Sequence, residues 1–162
     1  MARTMTDKAR EFLELKRFAL VGVSHSEKHF SRVVLRELLN RGYDVIPVSP
    51  VLTEAEGRAC LSRVQDIAPP VYGALLMTPS SRTEQVVRDC IESNIRKVWM
   101  HRGTGAGAGS PAALALCEKN DIDVITDLCP FMVLPDVAWP HRAHGFFRRL
   151  APGVRKRHTA SA

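Results

Sequence analysis

Residues Phe18 to Arg32 read FALVGVSHSEKHFSR, an apolar run that breaks at Gly22 into a polar loop before a helical pattern begins. A strand that feeds a helix through one glycine offers unpaired helix N–H groups and a partial positive charge, the usual seat of a phosphate in an α/β protein. The same junction also serves as a plain turn, so its meaning depends on what the rest of the chain brings beside it.

Outward from this junction, short apolar runs alternate with helix-period segments, the pattern of βαβ units and a parallel sheet. Strands are expected at Phe18 to Val23, Tyr43 to Val48, Val71 to Met77, Lys97 to His101 and Val124 to Thr126, each nearly solid in apolar residues, as strands covered on both faces are. Helices are expected over Ser31 to Arg41, closed by Gly42; over Arg82 to Ser93; and over Ser110 to Asn120, opened by a Ser-Pro pair. A further helix, Asp7 to Leu15, precedes the first strand, and a short one is expected within Glu54 to Ile67. The fold class is therefore α/β: a Rossmann-like, doubly wound, mostly parallel five-stranded sheet with flanking helices in a single domain, with strand order 3-2-1-4-5. That domain is expected over residues 1–150, followed by a basic tail over 151–162.

Bulk properties narrow the function classes. The chain has 162 residues, 45% of them hydrophobic and 25% charged, ordinary for one globular domain. No stretch approaches a membrane span and MARTMTDKAREFLELK at the start lacks a signal-peptide core, so a cytoplasmic protein is expected. The net charge is +6, but residues 1–140 hold 17 Lys and Arg against 17 Asp and Glu. The excess lies in the last 22 residues, which argues against nucleic acid as a partner of the domain body. Cys60, Cys90, Cys117 and Cys129 show no C-x-x-C spacing and are read as reduced, buried thiols. Cys129 lies just after the fifth strand; a mixed disulfide with a ligand thiol is the alternative to a structural role there.

In an open doubly wound sheet the ligand lies beyond the carboxyl ends of the strands. Four loops meet there: GVSHSEKHFS after the first strand, SPVL after the second, TPSSRT after the third and HRGTGAGAGS after the fourth. The dinucleotide fingerprint is absent, because Gly22 is followed by Ser24 and Glu27 where glycines belong, and the second strand ends in Val48-Ser49-Pro50 rather than an acid. His25, His29 and His101 lie near the cleft but form no readable triad, and loop histidines of this kind are mostly surface or capping groups. In PHRAHGFFRRL, His141 and His144 with His101 and Cys129 make a weak metal set, while Phe146, Phe147 and Leu150 read as a packing face, as do Trp99 and Trp139.

Three segments, LVGVSHSEKHFSRVVLRELLNRGYDVIPVSP, MTPSSRTEQVVRDCIESNIRKVWMHRG and NDIDVITDLCPFMVLP, resemble the CoA-binding domain family, small Rossmann-like proteins similar to the amino-terminal domain of the succinyl-CoA synthetase alpha subunit. The resemblance runs from about Phe18 to Pro135. It rests on the G-V-S loop with Ser31 nine positions past Gly22, the P-V-S-P after the second strand and the C-P after the fifth. It implies coenzyme A or an acyl-CoA as small-molecule partner, with Gly22, Val23 and Ser24 against the pyrophosphate, Ser31 at the following helix start, and Ser49, Pro50, Thr78 and Pro79 bordering the adenosine. Lys28 and Arg32 are candidates for phosphate charge because cations are what such a group needs. Where the family often has a basic residue this chain has Val51, for which Lys28 or Arg58 are substitutes. The resemblance suggests a homodimer and carries no catalytic machinery of its own; an enzyme or regulator using another adenine dinucleotide such as NAD is the alternative. An aspartate at position 22 is expected to abolish binding while leaving the fold largely intact.

Overall fold

The computed structural model describes residues 2–101 and 107–135; what was expected of the middle of the fourth loop, residues 102–106, and of Trp139, His141, His144, Phe146, Phe147, Leu150 and residues 151–162 lies outside them. Helix α1 (Met5–Glu14) starts at a capping box in which the Thr4 hydroxyl accepts from the Asp7 N–H and the Asp7 carboxylate accepts from the Thr4 N–H. Strand β1 (Arg17–Val21) follows, then α2 (Phe30–Asn40) and β2 (Asp44–Val48). A small hairpin, β3 (Glu54–Ala55) with β4 (Arg58–Ala59), and a 3-10 turn at Val64–Asp66 lead into β5 (Gly73–Leu76). The chain continues through α3 (Ser80–Glu92), β6 (Lys97–Met100), α4 (Pro111–Lys119) and β7 (Asp123–Ile125). The Ser-Pro start of α4 is as expected: the Ser110 hydroxyl accepts from the Ala113 N–H at 3.3 Å and Pro111 opens the first turn.

Five strands pair in parallel in the order β2-β1-β5-β6-β7. The α/β architecture is as the sequence implies, but the strand order is corrected from 3-2-1-4-5 to 2-1-3-4-5. Two residues explain it. The carbonyl of Pro47 accepts from the Leu61 N–H on the side away from β1, and N and O of one strand residue point the same way, so the donor that proline lacks also faces outward. Pro47 therefore suits an edge strand and would break a ladder in an interior one. Strand β5, GALL, is buried at all four positions and takes the interior place instead.

Side chains alternate across the sheet with the period of two that a strand imposes. Phe18 and Leu20 of β1, Leu75 of β5 and Trp99 of β6 pack with Phe12, Leu35 and Leu38 of α1 and α2. Ala19, Val21, Ala74, Leu76, Val98 and Met100 pack with Val87, Cys90, Ala113 and Cys117 of α3 and α4. The expected short helix within Glu54 to Ile67 is instead the hairpin and the 3-10 turn. Glu56 and Gly57 at φ +52° and +75° make a two-residue turn of the hairpin type.

At the amino ends of the strands, Asp123 lies 2.7 Å from the Lys8 ammonium, 3.3 Å from Arg3 and 3.5 Å from Lys97. Burial pushes its carboxyl up, but the Lys8 hydrogen bond and the three cations outweigh this and hold it below its ordinary 3.8. A carboxyl so depressed contributes stability that is fully present above its ordinary value and is lost as the pH falls through the lower folded value. Asp123→Asn is therefore expected to lower the melting temperature at neutral pH and to flatten the acid limb of stability against pH, measured by thermal melts over that range.

Candidate functional site

The carboxyl ends of β1, β2, β5 and β6 are tied to one another by backbone bonds, which bring the loops after β1, β2 and β5 together. The Gly22 N–H donates to Val48 at 3.1 Å, Met77 to Val21 at 2.8 Å and His101 to Leu76 at 3.0 Å. Gly22 itself has φ +95°, and a Cβ there would lie 2.8 Å from the Met77 carbonyl carbon and 2.9 Å from the Thr78 nitrogen. The glycine is needed where two loops of the protein touch. This corrects the expectation for an aspartate at position 22: it would strike backbone that cannot rotate aside, so fold and site would suffer together.

The loop after Gly22 is held by a short relay. The Ser24 N–H donates to the buried Ser31 hydroxyl at 3.0 Å, and that hydroxyl lies 2.9 Å from His29 Nδ1. His29 is the N-cap of α2, its Nδ1 accepting from the Ser31 N–H at 3.2 Å. The same Nδ1 meets both the N–H and the hydroxyl of Ser31. His29 is thus the capping group that loop histidines were expected to be. The amides of Gly22 and Ser24 are both spent inside the protein. The loop tip, His25 to Lys28, is exposed, and Lys28 has no ion-pair partner among the described residues.

Arg32, 7% exposed, does not extend into solvent. Its Nε donates to Glu56 at 2.9 Å and its Nη1 to the Ser24 carbonyl at 3.2 Å. After β2, Ser49 is buried, its N–H donating to Leu61 and its hydroxyl accepting from the Val51 N–H at 3.5 Å, while Pro50 and Val51 are exposed. After β5, the Thr78 and Thr83 hydroxyls lie 2.9 Å apart, and Thr83 also reaches the Pro79 carbonyl at 3.2 Å. Pro79 is the N-cap of α3 and supplies no side-chain acceptor; its carbonyl takes the Arg82 N–H at 2.9 Å, and the Ser80 and Ser81 N–H groups are left for water or an anion. Arg58 pairs with Asp44 at the start of β2, away from these loops, and so cannot take the place of the cation missing at Val51.

Glu56 escapes sequence reasoning altogether, and for His101 and Cys129 the sequence supplies the position but not the surroundings. His101, 6% exposed, lies against the Phe30 ring of α2 at 5.2 Å between centroids and a 35° tilt, and Phe30 meets Phe131 edge-on at 5.6 Å. Burial holds the His101 ring below its ordinary value, which keeps it neutral at pH 7. Glu56 reaches the site from a hairpin more than twenty residues away in sequence, and only the Glu-Gly dipeptide hints at the turn that delivers it. Cys129 is half-buried, and burial pushes its thiol up against a smaller opposing pull from the Phe131 N–H. Cys90 and Cys117, between α3 and α4, are pushed up to about 12 and about 11 by burial. All four thiols are unpaired. Among the described residues no group of three or more His, Cys, Asp or Glu side chains is placed to hold a metal ion, and no helix is long and apolar enough to cross a membrane.

Comparison with known proteins gives this geometry a context. Residues 16–135 match the family described as CoA binding domain. An uncharacterised protein of Bacillus subtilis (strain 168), YneT, is 27% identical over 114 residues, spanning 70% of this chain and 82% of that protein. A solved structure of a hypothetical protein from Pyrococcus horikoshii OT3 superposes with a TM-score of 0.71 at 26% identity, over 80% of this chain and 88% of the other. The dinucleotide forming acetyl-coenzyme A synthetase 1 of Ca. Korarchaeum cryptofilum shares the fold, with a TM-score of 0.58 at 23% identity, over 67% of this chain and 25% of that one.

Proposed function

We propose that this chain, which belongs to the CoA binding domain family, holds coenzyme A or an acyl-CoA at the carboxyl edge of its sheet and acts as a binding protein. The observation that carries the reading is the span of the family match: residues 16–135 include all five strands and every loop gathered at that edge. In this reading the pyrophosphate lies against the Gly22-Val23-Ser24 loop and the α2 N-terminus; the Gly22 and Ser24 amides being already used within the protein, Lys28 supplies the charge and Ser31 keeps the loop in shape. Ser49, Pro50, Thr78 and Pro79 border the adenosine part. The donor set suits a phosphorylated ligand: an exposed lysine on a glycine loop faces the same edge as a helix start with no side-chain cap. NAD fits less well, because β2 runs out into a buried serine with its N–H already used and offers no acid for ribose hydroxyls.

Native mass spectrometry of the purified protein, with CoA, acetyl-CoA and NAD offered in equal amounts and with or without reductant, tests this directly. CoA and acetyl-CoA adducts that survive reductant are expected, since the raised Cys129 thiol is a poor nucleophile. Adducts lost on reduction would shift the binding to a thiol. Equal uptake of NAD and CoA would overturn the proposal.

A further inference from the structure

The hairpin β3–β4 lies outside the main sheet, yet its turn places one carboxylate with care. Glu56 occupies the left-handed region at φ +52°, where a non-glycine residue is uncommon, and its side chain is 14% exposed. Two guanidiniums of α2 converge on it. Arg32 Nε donates to Oε1 at 2.9 Å; Arg36 donates Nε to Oε2 at 2.9 Å and Nη2 to Oε1 at 3.0 Å, a two-pronged grip. Arginine grips carboxylate and phosphate with the same fork. The Arg36 hydrogen bond, opposed by burial and helped by Arg32, holds the Glu56 carboxyl below its ordinary value, so it is a full anion at neutral pH. Arg32 also donates to the Ser24 carbonyl at 3.2 Å, so the loop read above as the phosphate seat shares a guanidinium with this internal anion.

We infer that Glu56 is a built-in competitor anion: by occupying Arg32 and Arg36 it weakens the field that the loop presents to a polyanionic ligand, and so sets how tightly that ligand is held. The inference rests on the CoA-binding reading for its ligand but not for its geometry. A purely structural brace and a competitor differ in sign. Removing a brace loosens the site, whereas removing a competitor anion frees two cations beside it.

The test is calorimetric titration of CoA, and separately of inorganic pyrophosphate, into the parent chain, Glu56→Gln and Arg36→Gln, at low and high salt, with circular dichroism and thermal melts alongside. Glu56→Gln is expected to melt lower yet to bind CoA about five-fold tighter at low salt, with a steeper loss of affinity as salt rises. Arg36→Gln returns the whole carboxylate to Arg32 and is expected to bind about five-fold weaker. Unchanged or weaker binding by folded Glu56→Gln overturns the inference. If that variant fails to fold, Arg36→Gln decides, because Arg36 is 47% exposed and its loss should leave the fold in place; unchanged affinity there overturns it equally. A parent chain that ignores CoA, while Glu56→Gln gains affinity for pyrophosphate, keeps the inference and fails the proposed ligand. Loss of both signals fails both.

Discussion

A Gly22→Val protein is expected to melt about 10 °C below the parent, from a loss of about 3–5 kcal/mol, and to lose CoA uptake with it. Two costs combine. The backbone at φ +95° disfavours any L side chain and a β-branched one most. The new Cβ would also lie 2.8 Å from the Met77 carbonyl carbon, an atom fixed by the ladder between β1 and β5. The two loops cannot part without breaking the Met77 N–H bond to Val21 at 2.8 Å. Thermal melts followed by circular dichroism check the first part and native mass spectrometry the second. A variant that melts like the parent would show that the two loops do not in fact touch.

Trp99→Ala should cost about 3–5 kcal/mol, the range for emptying a large aromatic site. Trp99 is fully buried in β6, meets Phe12 edge-on at 5.6 Å, and its indole N–H donates to the Leu128 carbonyl at 3.0 Å. That last bond reaches across the sheet edge to the turn that carries Cys129. Trp99→Phe keeps most of the packing and removes the donor, for a cost of about 1–2 kcal/mol. Its sharper consequence is at the next residue: Cys129 should react faster with an aromatic disulfide reagent, because the turn that buries it has lost its anchor. Denaturant unfolding gives the first quantity and the reagent's absorbance the second. A Cys129 rate unchanged in Trp99→Phe would show that the turn is held by other contacts.

How far the fold was legible follows from which forces act locally. The strands and helices could be read because burial on both faces leaves solid apolar runs such as GALL, and because caps such as Ser110-Pro111 act within one turn. Strand order could not be read from periodicity, which is silent on neighbours. Pro47 did carry the information, since a missing donor belongs at an edge, but only in combination with the outward contact to Leu61. For the candidate site, the loops after β1, β2 and β5 were legible as loops, and the hydrogen bonds that tie them were not. Ser31 holds the loop from within, and Arg32 and Glu56 neutralise each other across 24 residues of chain. Such a pairing depends on a left-handed turn that side-chain pattern alone does not specify. His101 likewise looks like any loop histidine until the fold lays it against Phe30.

The two lateral edges of the sheet have a consequence for how copies of this protein meet at high concentration. On β2 the outward donor of Pro47 is missing and its carbonyl is already taken by Leu61. On β7 the Lys8 ammonium, paired with Asp123, stands 3.4 Å from the Val124 carbonyl, a charge that must be pulled from its partner and moved before another strand can dock. Both ends of the ladder are therefore closed to templated growth, one by chemistry and one by charge. A sheet of buried, apolar, parallel strands is the kind that aggregates when its rim is open; here crowding should lead to contacts through helical faces rather than to runaway strand addition.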